Sequence, residues 1–573
     1  MDFEELAISE RKIIVGIDFG TTYSGVAWAE TQRPDRRTTI TSWPISKTIR
    51  EGESSDKVPT KLRYSDGDVQ WGFSIPVTAP QNEVVEWFKL DLDPTLQGMG
   101  DTVAKEARAG RSVDQLVTDF ISPLGEHLRY MLRAKLGEHI VSTIPLEFCV
   151  TVPAIWSELA KDNTKQACQK AAGLVATPSQ IHLVSEPEAA AIYALHGLDP
   201  HGLKVDDTIV VVDAGGGTVD LISYTITRLK PILEVEEAAP GSGALCGSTF
   251  LNLRFKKFLT TRLGNEEGFD VEVLAEAIDV FEKRVAALPF PAAVVDTNKS
   301  RSNVNSPCKL VLTTDSSSLL AASPITRNSP VILECIKLVS AQIAASGVPI
   351  SAVLLVGGFG ASNYLKERIR NAIDRKIRIL QPPNAWQAVV QGAVMKGLAQ
   401  ASPSHLTQVR ILNRRARKHY GTRCRRRYEE RQHGHLRDKR HWCGLYGYYQ
   451  VHVMDYIVLR GDVVSETDPY CLSFVSTGLV SDGRIKKVEM DIYADSTSSV
   501  APVERNDNTK LLCRVEADIS HIPEAQLNRR QGKDGQAYYE LGYELEAKAH
   551  SASTEYTLVY NNQRYNTVTA EYV

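Results

Sequence analysis

The chain of 573 residues is too long for one hydrophobic core, and this length predicts roughly two to four domains. Its apolar fraction of 43% and charged fraction of 24% are typical of a soluble globular protein. The formal net charge of −3 gives no reason to expect a nucleic-acid partner, and nine scattered cysteines without zinc-ligand spacing favour reduced thiols.

The sequence shows no targeting signal that we can recognise. Residues 1–10 lack the apolar segment of a signal peptide, and we expect them to form a flexible tail. No apolar run approaches the roughly eighteen residues that a membrane span requires. We therefore expect a cytoplasmic protein without a membrane span, and a nuclear location is left open.

Near the N-terminus, a polar turn separates two apolar stretches. The stretches 13–17 and 25–29 are predicted strands, and Asp18 ends the first of them. The turn then continues with Gly20, Thr21, Thr22 and Tyr23. Most glycine turns of this kind are ordinary hairpin turns, so this one alone is weak evidence for a ligand.

Two charged residues between this hairpin and the next each allow two interpretations. Lys89 lies among apolar residues of the segment 84–92, where spacing alone favours a solvated lysine and a site lysine is the alternative. Glu186 lies between a predicted strand, 181–184, and an alanine-rich helix. A glutamate at such a junction usually stabilises the helix dipole, but its place just before the second hairpin makes an active-site role the rival interpretation.

The stretch 208–227 repeats the hairpin in a more pronounced form. The mostly β-branched run 209–212 suits a buried strand, Asp213 ends it, and apolar residues resume at Val219. Glycine amides can approach an anion without a Cβ in the way, and a carboxylate can rest against a hydrated Mg²⁺. The turn that offers these groups contains Gly215, Gly216, Gly217 and Thr218.

Both hairpins have the same order of apolar strand, aspartate, glycine turn, threonine and apolar strand. If they face each other, they hold a polyphosphate from both sides, and Asp18 and Asp213 flank the metal. The matched pair therefore predicts phosphate binding far more strongly than either turn does alone.

A third glycine turn, Gly357 and Gly358, follows a predicted strand at 353–356 and precedes a helix. This arrangement lets a flat nucleoside approach the backbone, and a tight turn without any ligand is the alternative. Strands alternate with helices from residue 13 to about residue 400, which predicts an α/β architecture.

The composition changes after residue 400. The segment 401–445 is dense in Arg and Lys, and we expect a solvated linker or a cationic face in preference to a nucleic-acid or lipid patch. Segments of alternating polarity predict a mainly antiparallel β domain over 446–573.

Four motifs, VGIDFGTTYSGVAW, VSEPEAAAIYAL, VVVDAGGGTVDL and LLVGGFGASNYL, occur in this order. They resemble the nucleotide-site motifs of the DnaK-type 70-kDa heat shock chaperones, which belong to the actin-like ATPase superfamily. The resemblance covers roughly residues 11–400. WFKLDL, GALCGS and PPNAWQAVVQGAV further resemble the divergent branch typified by heat shock 70 kDa protein 12 and its fungal relatives.

This resemblance implies a two-lobed, actin-like ATPase domain with a duplicated ribonuclease-H-like fold over 11–400, followed by the β-rich domain. Lobe I would comprise about 11–206 and 375–400, and lobe II about 207–374. ATP or ADP with Mg²⁺ would bind in the cleft between the lobes.

The resemblance also implies roles for individual residues. Asp18 and Asp213 would hold the hydrated metal, Lys89 would position the attacking water, and Glu186 would lie near that water and the metal. The catalytic set would be completed by Asp213 and by Thr218, which would meet the phosphates. Asp220 would support the site, and Pro153 resembles the proline switch of the family. The nucleotide-binding residues would be Gly20, Thr21, Thr22, Tyr23, Gly215, Gly216, Gly217, Gly357 and Gly358.

The sequence departs from the family pattern on the adenosine side. Ala361 replaces the arginine that stacks on adenine, and Trp386 stands where an aspartate is common. A helix motif of the family is compressed to Glu282, Lys283 and Arg284. No peptide-clamp domain of the usual kind follows residue 400, so ATP-gated peptide release is not expected.

We therefore predict an ATP-binding protein that hydrolyses ATP slowly to switch the closure of its lobes. One alternative is a nucleotide-dependent scaffold with little or no turnover. A small-molecule kinase is a weaker alternative, because the sequence shows no dedicated acceptor-binding base. Protein clients or co-chaperones would be further partners, and the sequence does not identify them.

Overall fold

In a computed structural model, the chain divides into unit 1, Met1–Ile411, and unit 2, Leu412–Val573. The predicted tail 1–10 and the motif 282–284 lie outside the described residues. Within the described part, no helix combines the length and the apolar character needed to cross a bilayer. The structure describes residues 11–46, 54–65, 67–76, 79–94, 108, 110–174, 177, 180–197, 202–271, 273–278, 281, 329–403, 406–466, 468–565 and 568–573.

The elements of unit 1 alternate between strands and helices, as predicted. Its helices are α1 (Val113–Leu136), α2 (Glu138–Thr143), α3 (Glu158–Lys170), α4 (Glu186–Gly197), α5 (Ser248–Leu263), α6 (Pro330–Ala345), α7 (Asn363–Arg370) and α8 (Ala388–Ala401). Its strands are β1 (Ile13–Asp18), β2 (Tyr23–Glu30), β3 (Thr38–Thr39), β4 (Val58–Pro59), β5 (Lys61–Ser65), β6 (Asp68–Trp71), β7 (Val84–Glu86), β8 (Leu146–Val152), β9 (Ile181–Ser185), β10 (Thr208–Ala214), β11 (Val219–Arg228), β12 (Leu233–Ala244), β13 (Ile350–Val356) and β14 (Arg378–Leu380).

Each predicted hairpin lies within its own sheet of unit 1. β1 and β2 are antiparallel, with Asp18 opposite Gly25, and β1 also pairs in parallel with β8. β10 and β11 are antiparallel, with Asp213 opposite Asp220, and β10 pairs in parallel with β13. The first sheet has the order β3-β2-β1-β8-β9, and the second has β14-β13-β10-β11-β12 within unit 1. The unit thus repeats one arrangement, a hairpin beside a parallel strand, in agreement with the predicted duplicated fold.

β10 is buried on both faces, which explains its uninterrupted apolar run. Ile209 and Val211 belong to an apolar cluster that also contains residues of the first sheet and of α4 and α8. Val210 and Val212 belong to a second cluster, formed with α5, α6 and α7. Helices α4 and α8 therefore pack between the two sheets and form the shared core of unit 1.

The contact between α4 and α8 is very close. A Cβ added to Gly392 on α8 would overlap with the carbonyl oxygen of Ala189 on α4. The buried carboxylate of Glu188 pairs with Lys396 at 3.2 Å, one turn further along α8. These two contacts hold the N-terminus of α4, and with it Glu186, in one place relative to both sheets.

Unit 2 consists mainly of antiparallel strands, as predicted for its C-terminal part. The short helix α9 is Glu430–His433, and β15 (Val409–Arg415) crosses the boundary between the units. The strands are β15, β16 (His419–Arg427), β17 (His441–Cys443), β18 (Tyr448–Val458), β19 (Val463–Ser465), β20 (Tyr470–Leu479), β21 (Lys487–Asp495), β22 (Lys510–Asp518), β23 (Asn528–Gln531), β24 (Ala537–Ala549), β25 (Thr554–Tyr560), β26 (Gln563–Tyr565) and β27 (Val568–Tyr572). The sheets of unit 2 have the orders β17-β18-β16-β21-β22-β27 and β20-β24-β25-β26, with β23 paired to β24.

The segment 401–445, which we expected to be a basic linker, instead contains strands β15, β16 and β17. β16 lies between β18 and β21 inside a sheet. Its buried residues include His419, Gly421 and Thr422, while Arg423 and Arg425 are exposed. Because the buried positions are not apolar, the strand lacks the alternating hydrophobic signal on which the sequence reading depended.

We predict that Gly392→Ala destabilises unit 1 by about 1–3 kcal/mol, because the new methyl group forces α8 away from the backbone of α4. Urea-induced unfolding measures this loss. Gly197→Ala, at the end of α4, is the matched control, since no atom beyond its chain neighbours and its own helix backbone lies within 4 Å of the place that its new Cβ would occupy. We expect that control to lie within about 0.5 kcal/mol of the wild type. Equal stability of the two variants would contradict the close helix contact.

Candidate functional site

One cavity of about 380 Å³ lies in unit 1, and both glycine turns contribute to its wall. Every residue that the sequence assigned a catalytic, metal-binding or nucleotide-binding role lines this cavity. These residues are Asp18, Gly20, Thr21, Thr22, Tyr23, Lys89, Glu186, Asp213, Gly215, Gly216, Gly217, Thr218, Gly357 and Gly358.

The two hairpin turns are in direct contact with each other in the wall of the cavity. A Cβ on Gly217 would lie 2.5 Å from Thr21 Oγ1, and a Cβ on Gly216 would overlap with Thr22 Oγ1. Real Cβ atoms do not approach other atoms this closely, so only glycine fits at these two positions of the second turn. The glycines therefore allow the turns of two different sheets to meet.

Helix α5 orients the peptide groups of the second turn. The amides of Gly247, Ser248 and Thr249, at the start of α5, donate to the carbonyl oxygens of Gly217, Gly215 and Gly216 at 3.1, 3.1 and 2.9 Å. In a planar trans peptide, the N–H group points opposite to the carbonyl group. The N–H groups that follow these carbonyls therefore point away from α5. Among the described residues, no acceptor pairs with the amides of Gly216 and Gly217.

The carboxylate of Asp18 lies at the end of β1 and is buried. Lys57 Nζ donates to Asp18 Oδ2 at 2.6 Å, and Thr151 Oγ1 donates to Asp18 Oδ1 at 3.3 Å. Both oxygens of this first-hairpin aspartate are thus oriented by neighbouring side chains.

Lys89 is buried, with 1% of its surface exposed, although spacing alone favoured a solvated lysine. It lies in the short 3-10 helix Phe88–Leu92, and its Nζ donates to Glu186 Oε1 at 2.7 Å. The ammonium also lies 5.1 Å from the ring centroid of Trp156 and 5.6 Å from that of Phe19. Tertiary contacts, which spacing cannot reveal, place this charge inside the protein.

Negative charge accumulates around Asp213. Burial, reinforced by the carboxylates of Glu186, Asp220 and Asp18, raises the pKa of Asp213 well above its usual value. Burial likewise raises the pKa of Glu186 to about 7, although the Lys89 ammonium opposes this shift. No described residue donates a hydrogen bond to the Asp213 carboxylate. A buried carboxylate in this setting is stabilised by an added cation.

Asp220 connects the site to the end of β8. Its Oδ1 accepts a hydrogen bond of 3.0 Å from the amide of Ala154, which directly follows Pro153. Burial raises the pKa of Asp220, while the Thr218 hydroxyl and this amide oppose the rise. Asp220 therefore links the second turn to the proline that the sequence predicted as a switch.

The part of the cavity wall around Gly357 and Gly358 also contains aromatic residues. Gly357 has a φ of +82°, and a Cβ there would lie 2.5 Å from Asp213 Oδ1, so glycine is required on both counts. A Cβ on Gly358 would lie 3.4 Å from the ring of Trp386. Phe359, Ala361 and Trp386 line the cavity beside these glycines. An indole ring and Ala361, which stands at the position of the family's stacking arginine, thus line the same cavity.

Sequence reasoning missed several residues of this cavity. Lys57, Ser248, Asn252 and Phe359 also line it, and Trp386 was noted only as a departure from a family pattern. Ser248 and Asn252 are one turn apart on α5. The glycine-rich segment GSGALCG directly before this helix is a local signal that could have pointed to them. No local pattern distinguishes Lys57 from a surface lysine.

The donor set of the cavity fits a hydrated Mg²⁺. Among the described residues, no group of three or more His, Cys, Asp or Glu side chains could hold a metal ion by itself. Mg²⁺ commonly keeps several waters and uses one or two carboxylates together with substrate phosphates. The carboxylates of Asp18 and Asp213 match that pattern, and they do not match an all-protein metal cage.

Two duplicated α/β halves with a glycine-lined cleft between them define an actin-like ATPase domain. The family model described as "Hsp70 protein" matches residues 124–425, which is more than half of the chain. The protein therefore belongs to the Hsp70 family. It is also 26% identical over 538 residues to heat shock 70 kDa protein 12A of Mus musculus and, to the same extent, of Homo sapiens. Each alignment covers 76% of this chain and 76% of the relative.

We predict that Lys89→Met destabilises unit 1 by about 3–5 kcal/mol, because it leaves the Glu186 carboxylate buried without its cation. The double variant Lys89→Met/Glu186→Gln should recover much of this loss. Urea unfolding of the two single variants and the double variant gives the coupling energy directly. Lys12→Met is the control, because it breaks the more exposed Lys12–Glu147 pair and should cost about 0–1 kcal/mol. A coupling energy near zero would contradict the buried pair.

Proposed function

We propose that this Hsp70-family protein binds ATP and ADP with Mg²⁺ in the cavity of unit 1 and hydrolyses ATP slowly. The observation that carries this proposal is the meeting of two glycine turns at one cavity, where each turn follows a strand with a buried aspartate as its last or penultimate residue. In this proposal, the change from ATP to ADP shifts the closure of the two lobes. The proposal includes no peptide-clamp activity.

The second turn supports the binding of phosphate groups. Its two amides without an acceptor among the described residues, those of Gly216 and Gly217, point away from α5 and belong to residues that line the cavity. The Thr21 and Thr22 hydroxyls lie against the same glycines. Backbone amides and hydroxyls grouped in this way are a common cradle for polyphosphates. Bound Mg²⁺ would neutralise phosphate charge between Asp18 and Asp213.

The pair formed by Lys89 and Glu186 is the group best suited to act on the attacking water. Hydrolysis of a γ-phosphate needs a positioned nucleophile and charge neutralisation more than covalent assistance. The carboxylate of Glu186 has a pKa raised towards neutrality by burial, and the lysine that holds it also lines the cavity. A carboxylate with such a pKa can accept a proton from water near physiological pH.

Trp386 provides the aromatic surface for the base in this proposal. It is partly exposed and lines the cavity, and a Cβ on Gly358 would lie 3.4 Å from its ring. Stacking on an aromatic ring is tolerant of base identity, so we expect weak discrimination between adenine and guanine nucleotides. The unit would then recognise the polyphosphate more strictly than the base.

We predict that ADP with Mg²⁺ binds the wild-type chain and that Asp213→Asn weakens this binding at least about tenfold, since one charge-assisted contact contributes about 1.5–3 kcal/mol. Isothermal titration calorimetry with ADP and ATP measures both affinities. Asp162→Asn, on α3 and outside the cavity, should bind like the wild type. Absence of any nucleotide binding by the wild type would refute the proposed function.

We predict that Lys89→Ala and Glu186→Gln each reduce single-turnover ATP hydrolysis at least about a hundredfold, because general acid–base groups typically contribute 10²–10⁴ in rate. Release of labelled phosphate from a preformed complex measures the rate, while ADP affinity serves as the internal control. Retained binding with lost hydrolysis supports an ATPase. Binding without phosphate release from the wild type would instead support a nucleotide-dependent scaffold.

A further inference from the structure

We propose that Lys57 is a built-in cation of the phosphate site and that it sustains nucleotide binding when Mg²⁺ is absent. The inference rests on the proposed nucleotide binding and adds a residue to the same site. Lys57 belongs neither to the two hairpin motifs nor to the pair of Lys89 and Glu186.

The position of Lys57 is the first observation. The residue is buried, with 7% of its surface exposed, and it lines the cavity together with both turns. Its ammonium group lies 2.6 Å from Asp18 Oδ2. Asp18 is one of the two carboxylates that suit a hydrated Mg²⁺. A positive charge belonging to the chain therefore lies beside an oxygen that a metal ion would use.

Lys57 also shares the cavity with the aspartate of the other hairpin. Lys57, Asp18 and Asp213 all line the same cavity. The ammonium group therefore lies where carboxylates from both sheets come together. A divalent ion would be held by the same two carboxylates.

The stem of Lys57 is held by packing. A Cβ on Gly25, opposite Asp18 in the first hairpin, would lie 3.2 Å from Lys57 Cγ. Lys57 Nζ lies 6.0 Å from the ring centroid of Trp386. With the stem against β2 and the ammonium group at the cavity, the side chain loses little entropy when it meets an anion there.

Lys57 and Lys89 differ in the carboxylate with which each one pairs. Lys89 lies 2.7 Å from Glu186, the carboxylate proposed to act on water, whereas Lys57 lies 2.6 Å from Asp18, one of the proposed metal ligands. Both lysines line the cavity. Without Mg²⁺, Lys57 is therefore the lysine beside the proposed metal ligand, where it can exchange its aspartate for a phosphate oxygen.

The test compares ADP affinity in Mg²⁺ with ADP affinity in EDTA, for the full chain. We expect the wild type to lose little affinity in EDTA. The measured quantity is the dissociation constant for ADP in EDTA divided by that in Mg²⁺. In Lys57→Met, this ratio should be at least about tenfold larger than in the wild type, the factor expected for one charge-assisted contact. Lys57→Arg keeps the charge and should keep a ratio close to that of the wild type. Lys12→Met removes a lysine–carboxylate pair outside the cavity and should leave the ratio unchanged.

The outcomes separate this inference from the function on which it rests. A Lys57→Met ratio equal to that of the wild type would overturn the inference and make Lys57 a structural ion pair, while Mg²⁺-dependent binding would stand. A wild type that binds no ADP in Mg²⁺ would overturn the proposed function instead. If Lys57→Met does not fold, Lys57→Gln is measured in its place against the same ratio, which loss of stability alone does not change.

Discussion

The contact between the two glycine turns is the constraint on which the rest of unit 1 depends. Gly216 and Gly217 lie so close to Thr22 and Thr21 that any side chain on the glycines would separate the turns. Because each turn belongs to a hairpin of a different sheet, the contact brings two separately folded halves to a common centre. The buried aspartates, the lysines and the turn amides become one site only because this approach is possible. The duplicated fold thus places residues of both halves around one cavity at the point where the halves meet.

The second feature of this site is the number of charged side chains that are buried in it. Four carboxylates are buried close together, and two lysines neutralise part of their charge through short contacts with Asp18 and Glu186. Burial of this kind is costly unless charges are paired, so the arrangement is difficult to explain as a device for stability. A bound cation would lower this cost, and the proposed complex of Mg²⁺ and nucleotide would supply one. Membership of the Hsp70 family agrees with that interpretation.

The sequence revealed the parts of the site that local pattern encodes. An aspartate after an apolar run and a glycine turn before a threonine are short-range signals, so Asp18, Asp213 and both turns could be found without a structure. Lys89 and Lys57 differ, since their burial arises from residues distant in the chain, and spacing made the first resemble a surface lysine. The same reason explains β16, whose buried positions, among them Gly421 and Thr422, carry no hydrophobic period. Sequence reading therefore recognised the motifs well, and it failed where tertiary contacts decide.

The helix pair at the core joins the two halves at one point of close approach. Gly392 brings the backbone of α8 against the carbonyl oxygen of Ala189 on α4, with no side chain between them at that point. The buried pair of Glu188 and Lys396 joins the same two helices one turn away. A close backbone contact and a buried ion pair together fix the register of α4 against α8. A substitution on α8, far from the cavity in sequence, is therefore able to displace Glu186 at the start of α4.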